Sequence, residues 1–176
     1  IQGKHNYSNA LAAVLVGQSL GLKTDQIAEG LKTFNAIEHR LESVATVKGV
    51  EYINDSKATN VDASYFALDA MTKPVVWIVG GVDKGNDYEV LMTLVKEKVK
   101  GVICLGTDNE KLIKVFGSEV PKIDCVNSAE AAVKLSAAWA EEGDAVLLSP
   151  ACASFDLFKN YEDRRNKYKQ AINNNH

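Results

Sequence analysis

Histidine and cysteine are scarce in this chain, and neither is grouped. His5, His39 and His176 are scattered, and Cys104, Cys125 and Cys152 are odd in number and far apart. That excludes a metal-ligand spacing and points to free thiols in a reducing, cytoplasmic setting. Cys152 has no histidine placed to activate it and reads as a small packed residue. No Ser-His-Asp order and no pair of catalytic glutamates stands out. Neither sign of charge dominates: the net charge is −3 and the pI about 5.7, so there is no electrostatic footprint for nucleic acid or an anionic membrane. No apolar run approaches the ~18 residues of a membrane span, and no signal peptide is present. Gly-x-Gly-x-x-Gly is not satisfied and Gly-Lys-Ser/Thr occurs nowhere, which excludes the dinucleotide fingerprint and the phosphate loop. What is there is 46% apolar and 24% charged, the balance of a soluble globular protein with a buried core. The 176 residues suit one full domain and an appendage at ~100–200 residues per domain. A start at Ile1 rather than Met reads as processing or as a piece of something longer.

The pattern divides the chain. Residues 1–35 read as two short helices, the second starting at Thr24 as a plausible N-cap. Two short helices bury little core alone, so they belong with a domain whose remainder is absent. From Leu41 the pattern changes. Lys48-Gly49 between two β-branched runs signals a hairpin. Strands are then expected at 75–79, 102–105, 123–126 and 145–148, and helices from Asn60 and at 88–99, 109–116, 128–140 and 155–172. Short apolar strands between amphipathic helices predict an α/β fold, a doubly wound and mostly parallel Rossmann-like sheet with an N-terminal helical appendage. The crossover rule places every strand-to-helix loop on one edge, where open sheets bind ligands.

Three loops on that edge are rich in chemistry. Asn54-Asp55-Ser56-Lys57-Ala58-Thr59-Asn60 offers an acid, a base and two hydroxyls beside free helix-start N–H groups, which suits an anionic ligand with polyol character. The same residue types also cap and turn without any ligand. Gly80-Gly81-Val82-Asp83-Lys84-Gly85-Asn86 lets the backbone approach a ligand and gives Lys84 to an anion, or is a plain turn. Ser149-Pro150-Ala151-Cys152-Ala153-Ser154-Phe155-Asp156 places Ser154 at the expected start of the last helix, as its N-cap or as part of a carboxylate site. Two further segments lie outside that edge. In His39-Arg40-Leu41-Glu42, Arg40 can clamp a phosphate or carboxylate, or stay solvated. Asn6 and Asn9, three apart near a helix start, can face one way and meet the edge of a base, or cap.

Taken in order, these segments resemble the Mur ligase family of peptidoglycan synthesis, over the whole chain. Gly3-Lys4-His5-Asn6-x-x-Asn9-Ala10 is similar to the end of its central ATP-binding domain, and His39-Arg40-Leu41-Glu42 to the entrance of its third domain. The forms of 54–60 and 148–156 resemble the D-glutamate-adding branch. The resemblance implies residues 1–36 as the C-terminal helices of the central domain and 37–176 as the C-terminal domain. It implies a cytoplasmic, monomeric ligase that uses ATP and Mg2+, neither held by this stretch alone. Such an enzyme converts the terminal carboxylate of UDP-N-acetylmuramoyl-L-alanine to an acyl phosphate, which the amine of D-glutamate attacks. By position, Asn6, Asn9, Arg40 and Asp55 would meet the nucleotide. Thr59, Lys84, Ser154, Phe155 and Tyr161, with Lys57 nearby, would meet D-glutamate. Arg165 stands where the family has glycine. The segments that would carry the phosphate loop, the magnesium ligands and the uridine site are missing, so this stretch is expected to be inactive alone. Two alternatives stay open: another amino-acid-adding ligase of the family, and a non-catalytic α/β module for a small anion.

Overall fold

The computed structural model describes residues 4–33 and 41–175, with side chains from residue 7. Its central strands are continuous apolar runs. Val75–Val79 (β3) and Ala145–Leu148 (β6) bury every residue, and Val99–Leu105 (β4) all but Lys100. Glu42–Val47 (β1) and Ile123–Val126 (β5) are partly exposed, and Val50–Asn54 (β2) is nearly buried. The first kind must sit inside a sheet covered on both faces, the second at its edges. The strands form one six-stranded sheet in the order β1-β2-β6-β3-β4-β5. β1 pairs antiparallel with β2, and all other neighbours are parallel. The hairpin turns at Lys48 and Gly49, with φ of 49° and 76°, the left-handed pair that matches strand twist.

Successive residues of β3 enter opposite layers. Trp77 packs with Leu68 of Val61–Ala70 (α3), Leu94 of Met92–Lys98 (α4) and Phe116 of Glu110–Phe116 (α5). Val76 and Ile78 pack with Ala132 and Val133 of Ala129–Trp139 (α6) and with Tyr168 and Ile172 of Tyr161–Asn174 (α7). The chain steps outward through β3, β4 and β5 with helices on one face. It then returns through α6, on the other face, to insert β6 between β2 and β3. A single crossover hand requires the helix to change face when the direction reverses. The doubly wound α/β reading is therefore the observed architecture.

Several boundaries differ from expectation. The helix expected over 88–99 is a 3-10 turn, Glu89–Leu91, followed by α4, and β4 already begins at Val99. The helix expected from 155 begins at Tyr161. Asn160 is extended and accepts from the Asp163 N–H at 2.8 Å, so Asn160 rather than Ser154 is its cap. Asn60 caps α3 as expected, accepting from Ala63 N–H at 2.8 Å. Lys4–Ser19 (α1) and Thr24–Thr33 (α2) are the two helices of the appendage. α2 is capped at Lys23, whose carbonyl accepts from Ile27 N–H and whose N–H donates to the Gln26 side chain, so Thr24 lies inside the helix. Leu11, Leu15 and Val16 of α1, and Leu20 in the turn after it, are exposed. The expected boundary between residues 36 and 37 falls outside the described residues.

α3 ends without a glycine cap. Lys98 closes it instead, donating from Nζ to the carbonyls of Leu68 (3.1 Å), Asp69 (2.7 Å) and Met71 (3.0 Å). Replacing Lys98 by Met should lower stability by roughly 1.5–3 kcal/mol, the worth of a hydrogen bond to a charged group. Urea unfolding of the chain measures this. An unchanged midpoint would mean that water serves those carbonyls equally well.

Candidate functional site

Strand order assembles the site. Because β6 lies between β2 and β3, the loop 149–156 sits between the loops 55–60 and 80–86 at the carboxyl edge. Backbone bonds join all three: Asp55 N–H donates to Leu148 O (2.8 Å), Gly80 N–H to Pro150 O (2.9 Å) and Val82 N–H to Ala153 O (2.8 Å). Gly80 and Gly81 both have φ of 129°. A Cβ on Gly80 would stand 2.7 Å from Leu105 O, and one on Gly81 2.1 Å from Ala153 O. Gly81 thus lets its loop approach the loop 149–156, and Gly80 lets it lie against the end of β4.

The side-chain anchor is Arg164, on the buried stripe of α7 and 1% exposed. Its Nη2 donates to Ser56 O at 2.8 Å, its Nε to Ser56 Oγ at 3.1 Å and its Nη1 to Cys152 O at 3.3 Å. Ser56 Oγ in turn donates to Tyr161 O at 2.8 Å. Burial pulls the guanidinium pKa down to about 10, against the pull of Asp156 and Asp55, so it stays cationic at neutral pH. One buried cation thereby ties 54–60, 149–156 and the start of α7. Arg165 turns to its neighbour, donating to Asn166 Oδ1 at 2.9 and 2.7 Å.

Asp55 is buried at 6% exposure. Its Oδ2 accepts from Ser149 Oγ at 2.8 Å, and its Oδ1 from Leu41 N–H at 3.4 Å. Ser149 Oγ lies 2.9 Å from Ser64 Oγ, and Ser149 O accepts from Trp77 Nε1 at 2.8 Å. The carboxylate is thus held by donors of the protein itself, Ser149 from the loop after β6 and Leu41 at the entrance to β1. Glu42 accepts from Asn54 Nδ2 at 3.0 Å and pairs with Lys169 of α7, which fixes the entrance to the sheet domain. His39, Arg40 and the side chains of His5 and Asn6 lie outside the described residues. Asn9 is an exposed residue of α1.

The residues read as D-glutamate contacts fall on this edge. Lys57 is exposed with Nζ 5.8 Å from the Tyr161 ring centroid, a distance at which cation and ring attract. Thr59 is half-buried, Lys84 exposed and Ser154 buried, while Phe155 is 71% exposed. Lys84 sits on a stiff turn. Asp83 Oδ1 accepts from the N–H groups of Gly85 (2.6 Å) and Asn86 (2.9 Å), and Lys111 pairs with Asp83 at 3.2 Å. Burial raises the Asp83 pKa, but those N–H groups and Lys111 outweigh it and the net shift is downward. Under this turn lies a cavity of about 120 Å³ lined in part by Gly81, Tyr88, Lys111 and Cys152. The Cys152 Sγ is 3.1 Å from Tyr88 Oη, and burial pushes its pKa up, which keeps it a packed thiol and no nucleophile. Among the described residues, no group of three or more His, Cys, Asp or Glu is placed to hold a metal ion.

Sequence reasoning gave no role to Arg164 and did not foresee the inward bonding of Ser56, Ser149 and Ser64. A signal existed for Arg164: with Tyr168, Ala171 and Ile172 it continues the helix's apolar spacing, where a cation must be bonded.

This is an α/β domain with helices on both faces of the sheet and its polar loops gathered at one carboxyl edge, the edge at which open sheets of this class bind ligands. The family model described as Mur ligase, glutamate ligase domain, matches residues 39–152, and the chain belongs to that family. The UDP-N-acetylmuramoylalanine–D-glutamate ligase of Christiangramia forsetii is 52% identical over 99% of this chain and 39% of its own length. The ligase of the same name from Porphyromonas gingivalis is 49% identical over the same shares. The chain therefore spans about 39% of the relatives it matches. The fold is shared with the UDP-N-acetylmuramate–alanine ligase MurC of Thermotoga maritima, at a TM-score of 0.70 and 17% identity over 100% of this chain and 39% of that one. It is also shared with the MurF ligase of Thermotoga maritima in complex with ADP, at 0.67 and 18% identity over 99% of this chain and 40% of that one.

The Arg164 anchor is open to test. Arg164→Lys keeps the charge but cannot reach Ser56 and Cys152 together. It should cost roughly 1.5–3 kcal/mol in urea unfolding. Wild-type stability would show that the guanidinium fork is dispensable to the three loops.

Proposed function

We propose that this chain is the C-terminal portion of an ATP-dependent ligase that adds D-glutamate to UDP-N-acetylmuramoyl-L-alanine, and that its sheet domain holds the D-glutamate. The single observation that carries the reading is the binding of loops 54–60 and 149–156 to one buried guanidinium, which presents Thr59, Ser154 and the Lys57–Tyr161 pair on one edge. The names and identities of the relatives support it.

D-glutamate brings two carboxylates and one amine. Lys84 supplies a point charge for one carboxylate, and the Thr59 and Ser154 hydroxyls hydrogen bonds. Lys57 adds positive charge from the facing loop. The task of these residues is to hold the amine toward an acyl phosphate formed by the rest of the enzyme, and to shield it from water. ATP supplies the phosphoryl group. Asn6, Asn9, Arg40 and Asp55 are the nucleotide side in this reading. The described residues offer no cluster for Mg2+, and no step is assigned to it. The domain is cytoplasmic and acts as a monomer with its central and N-terminal partners on the same polypeptide.

The chain alone, incubated with ATP, Mg2+, UDP-N-acetylmuramoyl-L-alanine and D-glutamate, should release no phosphate above background. Turnover would overturn the division of labour proposed here. In the full-length ligase, Lys84→Ala should raise KM for D-glutamate about 10- to 150-fold, the equivalent of ~1.5–3 kcal/mol, with KM for ATP little changed. Unaltered D-glutamate kinetics would return Lys84 to the solvated surface and leave a plain anion-binding module as the better reading.

A further inference from the structure

A pair of thiols lies away from the candidate site. β4 and β5 run parallel in a register that sets Cys104 opposite Cys125. Opposed residues on neighbouring strands share a face of the sheet. The packing agrees: Cys104 lies with Val102 in the layer under α3, α4 and α5, and Ile123, two residues before Cys125, packs on that same layer. Burial first, and the neighbouring Cys125 second, push the Cys104 pKa up and hold it protonated. β5 is an edge strand, so Cys125 is exposed while Cys104 is buried. Neighbouring strands lie about 4.8 Å apart, inside the ~4.4–6.8 Å between Cα atoms that a disulfide spans.

We propose that Cys104 and Cys125 form a two-thiol modification site that takes a low-molecular-weight disulfide and closes into a cross-strand disulfide. The exposed Cys125 thiolate attacks one sulfur of the reagent. The reagent's S–S bond breaks, a mixed disulfide forms on Cys125, and one reagent thiolate leaves. Cys104 then gives its proton to solvent and attacks the Cys125 sulfur, which expels the second reagent thiolate. Two protein thiols are oxidised, and one external disulfide is reduced to two thiols. The order follows from exposure: Cys125 meets the reagent, and burial makes ring closure by Cys104 the slower step. Contact at the right geometry is what lets a poorly ionised thiol close the ring at all. The closed pair would press on the candidate site through short links. Gly106 N–H donates to Val126 O at 3.3 Å, and Thr107 N–H to Asp156 Oδ2 at 3.1 Å.

Oxidised glutathione is the probe, added to the folded chain and followed by alkylation, intact-mass measurement and peptide mapping. A glutathione adduct on Cys125 should appear and convert to a form that has lost two hydrogens, with the Cys104 and Cys125 peptides linked. Two of the three free thiols should be lost and regained with dithiothreitol, and Cys152 should remain alkylatable throughout. Cys104→Ala should stop at a persistent Cys125 adduct. Cys125→Ser, a change at an exposed edge position, should give neither adduct nor link. A wild-type adduct that never closes, a Cys125 that does not react, or a link formed only in urea would each overturn the assignment.

Discussion

A positive charge in the interior is the constraint on which the carboxyl edge depends. Arg164 is 1% exposed, and a buried cation without bonded oxygens would cost several kcal/mol. The fold answers by bringing oxygens to it: two from Ser56 and the carbonyl of Cys152. Those oxygens belong to loops that leave different strands, so the demand of one guanidinium fixes the relative position of both loops. A planar fork with several donors meets such a demand where an ammonium does not.

Topology makes that solution reachable. Inserting β6 between β2 and β3 sets the loop 149–156 between its two neighbours. The close approach to that loop needs glycine at Gly81, where a Cβ would collide with Ala153 O, and Gly80 lies tightly against the end of β4. The polar residues of these loops serve two ends. Ser56, Ser149 and Asp55 turn inward and bond to protein, while Lys57 and Thr59 of the first loop and Lys84 of its neighbour 80–86 stay partly or wholly exposed. A binding edge of this kind needs inward residues to stiffen what the outward ones present.

Much of the fold was legible in the sequence. The unbroken apolar runs at 75–79 and 145–148 announced central strands, Lys48-Gly49 announced a hairpin, and Asn60 announced a helix start. The miss at the last helix has a physical cause. Residues 155–160 carry a helix-compatible mix, yet Phe158 N–H bonds to Ser154 O in an isolated turn and the extended Asn160 starts the helix afresh. The candidate loops were legible by composition and position. The bond between Asp55 and Ser149 was not, because an aspartate in such a loop carries no mark of a hydroxyl 94 residues away.

By itself the sequence determined which segments are strands and helices, that their alternation makes a parallel sheet with loops on one edge, and which family they resemble. These follow from local periodicity and turn chemistry, which act over a few residues. Only the tertiary structure decided which polar residues face inward, that Arg164 is the common anchor, that Gly80 and Gly81 lie against neighbouring backbone, and that Cys104 stands opposite Cys125. Each of these pairs residues distant along the chain. Such pairings are set by strand order and register, and local pattern does not encode them.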